Sequence, residues 1–139
     1  MYINFHSAVG TAIMLLPIPV DDKIVLATAS HALVDTLGEA SLGDKWLWEE
    51  IPLIALILVV GIFTGNAFSV IAGIIFGNAF DILDMRYENG HWVKKDIIHK
   101  QGRFGKWLYP TVLINLTKKQ TLILNILSVL IVVLIMVLK

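Results

Sequence analysis

Residues 121–138 read TLILNILSVLIVVLIMVL, and this stretch decides the class of fold. Its only polar residues are Thr121, Asn125 and Ser128. A helix that crosses the hydrocarbon core of a membrane needs about 20 consecutive, predominantly apolar residues. The stretch therefore predicts a terminal transmembrane helix over residues 121–138.

The composition of the whole chain agrees with a membrane protein. Of 139 residues, 57% are hydrophobic and 16% are charged, and the mean hydropathy is +0.78. Soluble domains carry about 25% charged residues. The net charge is zero and no arginine-rich cluster with interleaved aromatic residues stands alone, so we predict no nucleic acid partner. Because the chain has no cysteine, disulfides and thiolate metal sites are excluded.

Four further apolar segments precede the terminal one. Pro17 and Pro19 end the first segment, and residues 64–66 separate the third from the fourth. Several segments are shorter than a perpendicular span requires, so tilted or partly inserted helices are expected. We predict an all-α fold, a polytopic membrane helical bundle of four to five short transmembrane helices that forms a single domain over residues 1–139. The approximate limits of the four segments are 3–16, 24–37, 46–63 and 67–83.

The positive charges predict the orientation of the bundle. Eight of the eleven lysine and arginine residues lie between Arg86 and Lys119. By the positive-inside rule, residues 85–120 form a cytoplasmic, partly interfacial segment in contact with membrane lipids. Counting the spans back from this segment brings His6, Asp35 and Asp81 to the cytoplasmic face. We therefore expect ionisable residues from three segments to converge at one membrane depth.

The spacing of these residues is typical of metal ligation. His31 and Asp35 are four positions apart on one helical face, as are Asp35 and Glu39, and Asp81 and Asp84 are three apart. Imidazole and carboxylate together suit a divalent metal, zinc in the first place, with manganese or iron as alternatives. A buried, hydrogen-bonded His–Asp pair would show the same spacing, and that interpretation stays open. The predicted metal ligands are His6, His31, Asp35, Asp81, Asp84 and His99.

Short motifs in the chain resemble those of a known family. Residues 29–38, ASHALVDTLG, are similar to an S-H-x-x-x-D-x-x-T/G signature, and residues 4–10, NFHSAVG, to a T-H-x-x-x-G element. Residues 77–84, GNAFDILD, resemble a G-x-x-x-P-D-x-D element without its proline, and residues 97–102, IIHKQG, echo R-G-x-T-H-S. These motifs belong to the inner-membrane metal-dependent hydrolases, also described as LexA-binding. The resemblance implies a metal, a hydrolytic activity and a prokaryotic inner membrane.

Two functions remain open from the sequence. The first is a membrane-embedded metal-dependent hydrolase that acts on an amphiphilic or phosphoester substrate at the cytoplasmic membrane face. In this hypothesis Glu39 or Asp84 is the general base. The second is a non-enzymatic metal- or proton-binding transport or scaffold subunit. A continuous polar path from the site to Asn66 or Asp21 would favour transport.

Overall fold

The computed structural model describes residues 3–38, 46–94 and 114–139, and for residues 38, 46–49, 84–85 and 91–94 it describes the backbone only. This part of the chain is mostly helical, as predicted. Its elements in chain order are α1 (Ile3–Met14), α2 (Val20–Val34), β1 (Leu37–Gly38), α3 (Trp46–Phe63), α4 (Ala67–Gly77), α5 (Ala79–Asp84), β2 (Met85–Glu88), β3 (His91–Lys94), β4 (Ile114–Asn115) and α6 (Lys118–Leu138).

The long helices alternate in direction. At one end of the bundle, the backbone N–H of Ile3 donates to Glu50, and Leu37 of β1 pairs with Ile114 of β4 in parallel register. At the opposite end, Lys139 Nζ donates to the carbonyl oxygen of Leu15. We call the first the lower end and the second the upper end. Helices α1, α3 and α6 start at the lower end, whereas α2 and α4 finish there.

Helix α1 lies at the centre of the bundle, and its closest neighbour is α4. A Cβ atom at Gly10 would overlap the carbonyl oxygen of Gly73, and a Cβ atom at Gly77 would overlap the carbonyl oxygen of His6. Only glycine permits this approach of two helix backbones. The contact places the end of α4 directly against the first turns of α1.

Helix α6 is the one helix, among the described residues, that is long and apolar enough to cross a membrane. Helices α1, α2 and α4 have 12, 15 and 11 residues, fewer than the roughly 20 of a perpendicular span. In α3, Glu50–Phe63 forms a shorter apolar helix. Helix α6 therefore has the length and composition of the predicted terminal span. The described helices do not support the prediction of four to five spans.

Two helices differ from the predicted segments. Helix α2 begins at Val20, before the predicted limit of about residue 24, so Asp21 and Asp22 lie in its first turn. Carboxylates at this position are stabilised by the helix dipole. The predicted fourth segment is divided at Asn78, where α4 ends and α5 begins one residue later.

The prediction of an all-α fold omitted two small sheets. Strands β2 and β3 form an antiparallel hairpin at the lower end, and β1 pairs with β4. Asn89 and Gly90 connect β2 to β3 with φ values of 51° and 84°. An Asn-Gly pair with both φ values positive is the usual two-residue hairpin turn. The pair lies within residues 85–120, for which the sequence predicts a cytoplasmic, partly interfacial segment without strands.

Candidate metal centre

Three side chains meet at the lower end of the bundle, one from α1, one from α2 and one from the residue that follows α2. His6 Nε2 lies 3.2 Å from Asp35 Oδ1, and His31 Nε2 lies 3.4 Å from Asp35 Oδ2. The two imidazole rings stack with centroids 4.1 Å apart and planes 23° from parallel. One potential ligand atom from each residue lies within 4.8 Å of the other two. The three residues therefore form a group that could hold one metal ion.

The orientation of the His31 ring is fixed by a backbone contact. Its Nδ1 atom lies 2.7 Å from the carbonyl oxygen of Gly77, at the end of α4. A carbonyl oxygen only accepts hydrogen bonds, so Nδ1 carries the proton and Nε2 presents its lone pair in the neutral ring. Metal-binding histidines usually donate their second N–H to a carbonyl or carboxylate in this way.

His6 is 1% exposed and lies on the first turns of α1, against the backbone of Gly77. Within the described part of the chain, neither of its ring nitrogens makes a hydrogen bond, and its contact with Asp35 lacks hydrogen-bond alignment. A buried polar group without a hydrogen bond costs roughly 1–3 kcal/mol. A metal ion at Nε2 would remove this cost, so the surroundings of His6 fit a ligand.

Asp35 provides the open side of the group. It follows α2 directly, and its backbone N–H donates to the carbonyl oxygen of His31. Its side chain is 23% exposed, whereas those of His6 and His31 are 1% and 0% exposed. An ion or a water molecule can therefore reach the group beside Asp35, whereas the side of the group formed by the two histidines is buried.

Helix α5 adds a fourth polar residue. Asp81 is buried, and its Oδ2 atom lies 3.6 Å from His31 Nε2. Phe80, the residue before it, packs edge-on against the His31 ring with centroids 5.4 Å apart. Two carboxylates and two imidazoles make a donor set of oxygen and nitrogen that suits zinc, manganese or iron. Two carboxylates also balance the charge of a divalent cation.

The structure brings four of the predicted ligands together, namely His6, His31, Asp35 and Asp81. For Asp84, at the end of α5, only the backbone is described. Glu39, predicted as a general base, and His99, predicted as a ligand, lie outside the described residues. The four that converge come from three separate segments, as the counting of spans predicts. Their role as ligands stays a prediction.

Sequence reasoning missed two buried polar residues that form hydrogen bonds with α1. Asn78 is buried and its Nδ2 donates to Ser7 Oγ at 3.0 Å and to the carbonyl oxygen of Ile74. Glu50, also buried, accepts from Ile3. A signal for Glu50 existed, because a carboxylate at the head of an apolar helix needs a partner. For Asn78 we find no such signal.

The comparisons with known proteins add no relative. No protein-family model, curated protein or solved structure matches the chain. The chemistry of the site is therefore inferred from its own geometry. The resemblance of the short motifs to inner-membrane metal-dependent hydrolases stays a prediction.

Proposed function

We propose that this chain is a membrane-embedded, metal-dependent hydrolase. The observation that carries the proposal is the group of His6, His31 and Asp35, whose ligand atoms lie within 4.8 Å of one another inside a helical bundle. The tautomer of His31 supports it, because the Nε2 lone pair is directed toward the two carboxylates. The motifs that resemble metal-dependent hydrolases contain the same residues.

Each residue of the group has a part in this proposal. His6, His31 and Asp35 bind the metal, with Asp81 as a fourth ligand. A divalent metal would polarise a carbonyl or phosphoryl oxygen and make a coordinated water acidic near neutral pH. The exposed side of Asp35 admits water and substrate. Glu39 or Asp84 accepts the proton of the attacking water as general base.

The distribution of polar and apolar residues supports a membrane location. Large apolar side chains are exposed on five helices, including Leu33 at 71%, Phe68 at 70% and Ile131 at 57%. The buried set, in contrast, includes His6, His31 and Asp81. Large exposed apolar surfaces mark membrane or protein contacts, and polar groups turned inward are usual in membrane bundles. We propose that α1, α2, α3, α4 and α6 lie in the membrane. The helices that are shorter than a perpendicular span would be tilted or only partly inserted.

The substrate class follows from this location. The lower end carries the site, the β2–β3 hairpin and the starts of α1 and α6. We propose that this end faces the cytoplasm of a prokaryotic cell, since Arg86, Lys118 and Lys119 lie there. A metal centre at this depth meets amphiphiles whose ester or phosphoester group lies at the headgroup level.

The alternative is a transport subunit, and the upper half of the bundle disfavours it. Among the described residues, the buried polar side chains nearest the upper end along their helices are Thr11 and Asn125. Above them, the buried side chains include Leu15, Val132 and Met136. An apolar core of this kind interrupts a polar path toward Asp21 or Asn66. A hydrolase needs no such path.

Metal analysis combined with an activity assay tests the proposal. We expect purified wild-type protein to bind about one divalent metal per chain (two if the site is dinuclear) and to hydrolyse an amphiphilic ester or phosphodiester reporter. His31→Ala should abolish both. The matched control is Asp22→Ala, an exposed residue at the other end of the same helix, which should change neither. Wild-type protein without bound metal, or His31→Ala with full metal content, would contradict the proposal.

A further inference from the structure

Glu50 is a buried carboxylate that the proposed reaction does not use. It lies in the second turn of α3 and is 1% exposed. Its Oε2 atom accepts a hydrogen bond of 2.8 Å from the backbone N–H of Ile3, a residue 47 positions away in the chain. Burying a carboxylate among apolar helices costs several kcal/mol unless hydrogen bonds compensate. The hydrogen bond from Ile3 therefore offsets part of the cost of burying Glu50.

The acceptor meets α1 where that helix begins. Ile3 is the first residue of α1, and the first four N–H groups of a helix have no acceptor within the helix. The carboxyl group of Glu50 supplies an acceptor for one of these N–H groups. Glu50 thus caps the first turn of α1 from a neighbouring helix.

His6 lies one helical turn after Ile3. Its ring must keep Nε2 directed at Asp35, 3.2 Å away, for the two to share a metal ion. A binding site loses function when its groups move by about 0.5 Å or turn by 10–20°. An unwound or shifted first turn of α1 would displace His6 by more than this. The orientation of His6 therefore depends on the contact at Ile3.

We propose that Glu50 is a positioning residue for His6. By accepting the Ile3 N–H, it fixes the first turn of α1 and directs His6 Nε2 toward the metal. The inference rests on the proposed metal centre, and it assigns to α3 a part in a site whose ligands come from other helices.

A set of matched variants tests this role with Co²⁺ as the probe. Glu50→Ala should lower the Co²⁺ affinity by about 10- to 100-fold, the usual effect of losing a residue that supports a ligand, and should change the visible absorption of bound Co²⁺. Glu50→Gln keeps an oxygen acceptor and should retain most of the affinity. The control is Ile57→Ala on the same helix, a buried apolar residue. It should lower the melting temperature without changing the Co²⁺ affinity or spectrum.

A double-mutant cycle separates positioning from a general loss of structure. In a His6→Ala background, Glu50→Ala should cause no further loss of Co²⁺ affinity, because its effect passes through His6. A full additional loss in that background would overturn the inference, as would a wild-type affinity for Glu50→Ala. If Glu50→Ala does not fold, Glu50→Asp provides the comparison, since its shorter side chain withdraws the acceptor from Ile3.

A measurement on the metal-free protein keeps this inference distinct from the proposed function. The imidazole ¹⁵N shifts of His6 should change in Glu50→Ala and stay unchanged in Ile57→Ala. Wild-type protein that binds no Co²⁺ would contradict the metal centre, whereas the His6 shifts would still decide whether Glu50 positions that ring. Unchanged His6 shifts in Glu50→Ala would remove the positioning role.

Discussion

The Nδ1 atom of His31 lies 2.7 Å from the carbonyl oxygen of Gly77, and this hydrogen bond joins α2 to the end of α4. Gly77 also packs against the backbone of His6, where a Cβ atom would not fit. One glycine therefore determines which nitrogen of His31 is protonated and how closely α1 approaches α4. Both histidines of the candidate metal centre depend on it.

Gly77→Ala should damage the site and the fold together. The added methyl group would overlap the carbonyl oxygen of His6, so α1 and α4 must move apart. Overpacking of this kind costs about 1–3 kcal/mol of stability. We expect the zinc affinity to fall by at least tenfold, as measured by calorimetric titration of the detergent-solubilised protein.

Gly61→Ala is the matched control for this prediction. Its added methyl group would overlap the side chain of Val70, so it overpacks the α3–α4 contact away from the site. It should lower stability and leave the zinc affinity unchanged. Equal zinc affinities for Gly77→Ala and wild type would show that this close contact does not position the histidines.

A chelator should lower the melting temperature of the wild-type protein. Asp35 Oδ2 and Asp81 Oδ2 lie 3.4 Å and 3.6 Å from the same atom, His31 Nε2, so without a cation the two carboxylates repel each other. Binding to the folded state alone stabilises that state by mass action. Thermal unfolding with and without a chelator at neutral pH measures the effect.

Asp35→Asn combined with Asp81→Asn should remove this sensitivity. The double variant relieves the repulsion and abolishes the site at once, so its melting temperature should be the same with and without chelator. If the wild type also melts identically after confirmed metal removal, the carboxylates and histidines form ordinary buried polar pairs.

The sequence predicted the all-α class and the convergence of four candidate ligands, whereas the bounds of the helices around them differ from the prediction. The four-residue spacing of His31 and Asp35 fixes their shared helical face, and the one-sided distribution of basic residues predicts which ends of the segments meet. Those inferences need no knowledge of packing. The bounds of α2 and the break at Asn78 depend on local capping and on contacts between helices, which hydropathy does not contain.

The contacts of Gly77 and Glu50 could not be predicted from the sequence for the same reason. In the sequence, Gly77 stands out only as the first residue of the motif 77–84. Its two contacts, with His31 and His6, join segments that are distant in the chain. Glu50 carries a sequence signal, as a carboxylate at the head of an apolar helix, but its partner cannot be predicted because the contact depends on where α1 begins. A sequence reveals candidate ligands through residue type, whereas their support is set by tertiary structure.

The arrangement of the bundle predicts a simple labelling pattern. The chain has no cysteine, so single cysteines can be introduced without background. Asp22→Cys and Lys139→Cys lie at the upper end and Glu88→Cys lies in the hairpin at the lower end. We expect a membrane-impermeant thiol reagent to label Glu88→Cys from the cytoplasmic side and the other two from the opposite side. Labelling of Asp22→Cys and Glu88→Cys from the same side would contradict the proposed insertion.

Anomalous diffraction at the zinc absorption edge, measured on crystals of the zinc-loaded protein, tests directly whether His6, His31 and Asp35 bind a metal ion. We expect a peak within about 2.0–2.2 Å of His6 Nε2, His31 Nε2 and an oxygen of Asp35. Data from His31→Ala crystals should lack the peak. Zinc-loaded wild-type crystals with no anomalous density between these three residues would contradict the claim that they form a metal centre.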